Sequence, residues 1–74
     1  MKEYRLDLDL AKLSDTKELV ENFIEKYWGS KSELVIITGD NLRKKGIVLN
    51  TADRYGFPYQ ISKLNLEIIT IWSF

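Results

Sequence analysis

The 74 residues contain no cysteine and no histidine. That removes disulfide staples, Cys/His zinc sites, and catalytic triads or general bases built on imidazole. Any chemistry rests on carboxylates, amines, hydroxyls and the backbone. Net charge is also missing: eleven Lys and Arg balance eleven Asp and Glu, so bulk charge gives no reason to expect non-specific nucleic-acid binding. No apolar run reaches membrane-spanning length and no apolar signal core stands at the N-terminus, so the expectation is a cytoplasmic protein without membrane contact. There is no linker, repeat or low-complexity segment, and residues 1–74 read as one domain. What is present is ordinary for a soluble globular chain, with 45% hydrophobic and 30% charged residues. At this length about 60–65% of the unfolded surface is buried on folding, which supports a single core of modest stability.

Periodicity then supplies the elements. Residues 4–10 alternate, Tyr4, Leu6, Leu8 and Leu10 against Arg5, Asp7 and Asp9, as in a half-buried strand. Ser14 or Asp15 can cap a helix over about 16–28, and Asp15 with Glu18 resembles a capping box. Leu19, Val20, Phe23, Ile24 and Tyr27 form its apolar stripe, and Gly29 is its expected stop. Residues 33–38 form a short run, apolar from Leu34 to Ile37 and rich in β-branched residues, as in an inner strand. A second helix starting at Lys44 would turn that lysine into the stripe of Ile47, Val48, Thr51, Ala52 and Tyr55. Residues 40–45 are therefore expected as loop and 46–55 as helix, with Gly56 as its C′ residue. Pro58 favours an edge position for a strand over 59–63. After a turn near Leu64 and Asn65, residues 66–74 are apolar on both faces and so are expected at the centre of the sheet. The order βαβαββ, with its first three strands parallel and its last antiparallel, predicts an α+β two-layer sandwich: a mixed four-stranded sheet with two helices on one face.

That order, with Leu6-Asp7-Leu8 at the end of the first strand and Ile37-Thr38-Gly39 at the end of the second, resembles the Smr domain, whose fold is similar to the C-terminal domain of bacterial translation initiation factor three. The resemblance covers nearly the whole chain as topology and implies a sheet in which the last strand lies inside the third. The family's first signature, Leu-Asp-x-His-Gly, is matched by Leu6, Asp7 and Leu8, while Asp9 stands in place of the histidine and Leu10 in place of the glycine. Its second, Thr-Gly-x-Gly, is matched by Thr38 and Gly39, with Asn41 in place of the second glycine. Both departures fall on residues that the family associates with nucleic-acid binding and nuclease action. The resemblance thus implies the fold, and for this chain a non-enzymatic module.

Three groups of residues carry candidate chemistry. Asp7 and Asp9, joined by Asp40, have the carboxylates for metal-assisted phosphodiester hydrolysis; equally, alternating aspartates solvate an edge strand and discourage sheet-to-sheet association. Arg43, Lys44 and Lys45, with Thr38 and Gly39 beside a helix N-terminus, suit a phosphate, with RNA as the natural partner; the competing reading is a solvated basic loop. Without glycine-rich P-loop spacing no nucleoside triphosphate site is expected, nor is any cofactor. Third, an uncovered sheet face bearing Val35, Ile37, Ile69 and Ile71 would seek a protein or a second copy of the chain, unless Trp72, Ser73 and Phe74 or side chains from loops cover it. The leading expectation is a non-enzymatic interaction module that binds RNA, or a protein of RNA metabolism, through the basic loop and strand ends. The alternative is a protein-binding regulator or inhibitor that uses the open sheet face, with a homodimer as one form. A metal-dependent nuclease using Asp7, Asp9 and Asp40 comes third.

Overall fold

Alternation decides how the first strand faces. In β1 (Glu3–Asp7) Tyr4 and Leu6 pack against the core, and Glu3, Arg5 and Asp7 point the other way. The computed structural model describes residues 2–62, 65 and 67–73. After β1 come α1 (Leu13–Lys26), β2 (Glu33–Ile37), α2 (Leu42–Tyr55), β3 (Tyr59–Ile61) and β4 (Ile68–Trp72). The sheet order is β1-β2-β4-β3, with β1 parallel to β2 and β4 antiparallel to both its neighbours. This is the expected α+β sandwich. Pro58 directly precedes β3 at the sheet edge, where its missing N–H removes no ladder bond, and the apolar β4 lies inside.

One cluster joins the layers. Val20, Phe23 and Ile24 of α1 and Val48 and Ala52 of α2 meet Leu34, Ile36, Ile69 and Ile71 of the two central strands. Both helices therefore cover the same face. Where the helices end, Trp28 stands 54% exposed, edge-on to Tyr55 and against Phe57. The Tyr55 hydroxyl donates to Glu25 at 2.8 Å. That bond, the loss of solvent around the ring and the negative charge of Glu25 and Glu21 raise the phenol above its ordinary value, and Arg54 opposes them.

Several boundaries differ from expectation, each for a local reason. β1 stops at Asp7 because its Oδ1 accepts the Asp9 N–H at 2.9 Å, an Asx-type turn that ends the extended run. Leu8 remains buried, but Leu10, expected on the buried side of the strand, is 97% exposed. α1 begins at Leu13 behind Lys12, which is extended and gives no side-chain cap, so the Ser14 or Asp15 cap does not form. Thr16, outside the expected stripe, is buried and donates to the Lys12 carbonyl at 3.0 Å, while Leu19 lies at the margin of the buried face. The expectations for Lys63, Leu64, Leu66 and Phe74 lie outside the described residues.

Candidate functional site

The C-terminal ends of β1 and β2 and the start of α2 meet at one sheet edge, the usual place for ligands in parallel arrangements. The strands are tied there by Leu8 N–H donating to Ile37 O at 2.7 Å. Leu8 O in turn accepts from Ala11 N–H at 3.1 Å, closing the turn after β1. From β2 the chain passes through Thr38, which is buried, with its N–H donating to Glu67 O at 2.7 Å. The Thr38 hydroxyl lies 3.1 Å from both Gly39 O and Glu67 O. It is therefore engaged with backbone and turned away from any ligand at this edge.

α2 starts four residues earlier than expected, at Leu42. Asn41, in place of a glycine in the Smr-like signature, is its N-cap: Oδ1 accepts the Lys44 N–H at 3.1 Å. Lys44 does turn into the buried side of the helix, as the stripe argument requires, and is only 5% exposed. What makes this tolerable is its ammonium, which donates to Leu8 O at 2.5 Å and to Asp9 O at 3.2 Å. A buried charge needs such partners. Lys44 therefore clasps the start of α2 to the turn after β1 and is withdrawn from the surface.

That changes the basic triad. Arg43 is exposed and Lys45 half-buried, so two cations of the three remain within reach of a phosphate. Around them Asp7, Asp9 and Asp40 are exposed. Asp9 is especially close to the turn: a Cβ placed on Gly39 would clash with its Oδ1. Three carboxylates thus outnumber two accessible cations at this edge, which weakens its attraction for an anion. Nor are the carboxylates gathered: among the described residues, no group of three or more His, Cys, Asp or Glu is placed to hold a metal ion.

Gly39 combines that approach with a φ of +67°, a left-handed conformation costing other residues about 1–2 kcal/mol. Gly39→Ala should lower stability by about that amount, with a further part from displacing the Asp9 carboxylate. Asp9→Ser in the same chain should recover only the second part. Urea denaturation of the two single variants and the double variant reads both; an unchanged midpoint for Gly39→Ala would contradict this geometry.

The second surface is the sheet face away from the helices. Register places Glu3, Glu33 and Trp72 side by side, then Arg5, Val35, Thr70 and Gln60, then Asp7, Ile37 and Ile68. Val35 and Ile37 point to this side of the sheet, where Ile37 is half-buried and Val35, only 8% exposed, is buried between its neighbours. Ile69 and Ile71 do not: they point into the core at 0% exposure, and Ile68 and Trp72 take their places on the open face. The cause is the phase of β4, in which Ile71 pairs with Leu34 and Ile69 with Ile36. Ser73, a cover only in the competing reading, is buried against the loop before β2, donating its N–H to Ser32 O at 3.0 Å and accepting the Ser32 N–H on its hydroxyl at 3.2 Å. Among the described residues, no helix or strand lies over Val35, Ile37, Ile68 and Trp72.

No helix among the described residues is long and apolar enough to cross a membrane. Compared with family models, with curated proteins and with solved structures, the chain matches none.

Proposed function

We propose that this chain is a non-enzymatic binding module that holds another polypeptide against the open face of its sheet. The observation that carries this reading is the set of half-buried apolar side chains Ile37, Ile68 and Trp72 on the open face of the two central strands, with Val35 buried between them. Apolar residues grouped on an uncovered face mark interaction sites more often than residues scattered singly. An aromatic anchor among them suits protein contact. The non-enzymatic part is supported by the Asp9 and Leu10 replacements in the Smr-like signature and by the ungathered carboxylates.

A second reading places RNA at the strand-end edge. Arg43 and Lys45 beside the N-terminus of α2 favour it. Titrating the isotope-labelled chain separates the two. A peptide selected for binding should shift the amide resonances of Val35, Ile37, Ile68 and Trp72, and single-stranded RNA should shift none saturably. Saturable RNA binding that weakens with salt and is lost in the Arg43→Glu, Lys45→Glu double variant would replace the first reading by the second. Lys44 is left out of that variant because reversing its charge breaks the clasp to β1.

A further inference from the structure

The open face carries Ile37 and Ile68 at one end and Trp72 at the other, with Arg5, Val35, Thr70 and Gln60 between them and acidic residues at both ends. Glu3 and Glu33 are neighbours in register, and Asp7 lies beside Ile37. Arg5 is the one cation that the described strands place on this face, and Glu3 already engages it at 2.7 Å. Among the described residues, Asp7 and Glu33 have no cation within salt-bridge distance. The face therefore presents apolar surface flanked by unmatched negative charge.

This pattern discriminates between occupants. A second copy docked about a twofold axis would bring the same acidic margin from both sides, and like charges across an interface are costly. Nucleic acid would be repelled for the same reason. A polypeptide with apolar side chains and unpaired cations meets both features. Size adds a bound: five-residue strands run about 17 Å, the length of about three turns of helix. A short segment is enough to cover the patch.

The geometry points to a basic amphipathic peptide segment as the occupant of this face, its apolar side chains against Ile37, Ile68 and Trp72 and its lysines or arginines toward Asp7 and Glu33. This rests on the reading of the face as a polypeptide-binding surface and adds the chemistry of the partner. Charge at the margin sets association rate and selectivity, and Ile37, Ile68 and Trp72 supply most of the affinity.

The probe is a randomised peptide library of about 16 residues, long enough for about four helical turns, selected against the intact chain. Enriched sequences should be apolar and net basic. Their affinity should fall about tenfold or more on Ile37→Lys or Ile68→Lys, as for a central interface contact, each variant being checked for folding by circular dichroism. Glu33→Lys should weaken them severalfold and flatten their salt dependence. Peptides that respond to Ile37→Lys but are neutral or acidic would overturn the inferred partner chemistry and leave the face a polypeptide site. Peptides indifferent to both lysine variants, or no enrichment at all, would overturn the partner and the site together. A concentration-dependent dimer in sedimentation equilibrium, abolished by Ile37→Lys, would assign the face to a second copy and overturn the inference.

Discussion

Lys44→Glu should leave the chain largely unfolded at ambient temperature, and Lys44→Met should keep it folded but lower its stability by about 1–3 kcal/mol. The difference lies in what each side chain does to the carbonyls of Leu8 and Asp9. Methionine fills much of the volume of the lysine stem and withdraws the hydrogen bonds. Leu8 O then still holds the Ala11 N–H at 3.1 Å, so part of the loss is met locally. Glutamate places a carboxylate against the same two carbonyl oxygens in a position only 5% exposed. Leaving a buried charge unpaired costs about 3–5 kcal/mol, and here repulsion from the carbonyl dipoles adds to it. A chain of this length has about 4–11 kcal/mol in all, so little would remain. Urea denaturation followed by the fluorescence of Trp28 and Trp72 measures both variants. A Lys44→Glu chain with the parent midpoint would show that the ammonium does not hold α2 to the turn after β1.

Lys44 also marks the limit of what local patterning conveys. The order of elements, the sheet topology, the Gly56 stop of α2, where φ is +74°, and the edge position of β3 all follow from spacing and from backbone restrictions acting within a few residues. The start of α2 does not. A lysine in an apolar stripe argues for loop on hydropathy alone, and its partners, Leu8 O and Asp9 O, lie more than thirty residues earlier in the chain. The same holds for the cap: Asn41 is a legible N-cap signal, but only for a helix that starts at Leu42. At the candidate site, Asp7, Asp9, Asp40 and Arg43 sit at the strand-end edge as their positions in the sequence suggest. Their balance was not visible, because it depends on one cation turning inward.

The phase of β4 is the other feature that spacing leaves undetermined, and it gives the sharpest contrast between two substitutions. Ile68, Ile69 and Ile71 are chemically alike, so alternation alone cannot tell which of them faces the helices; a shift by one residue exchanges the faces. In the structure Ile71 pairs with Leu34 on the covered side and is fully buried, while Ile68 pairs with Ile37 on the open side and is half-buried. Ile71→Glu removes core packing worth about 2–5 kcal/mol, on the scale of Ile→Ala. It also buries a carboxylate among apolar side chains, where it finds no partner. Together these match the whole stability of so small a domain, and the variant should not fold. Ile68→Glu keeps its carboxylate in water and should cost about 1 kcal/mol or less, leaving a cooperative thermal transition. On the proposed interface it should still repel an acidic peptide and accept a basic one at reduced apolar contact, so its binding loss should be smaller than that of Ile68→Lys. Far-ultraviolet circular dichroism with thermal melts decides the matter: a folded Ile71→Glu beside an unfolded Ile68→Glu would mean that β4 runs in the opposite phase and that the open face is built from the other set of isoleucines.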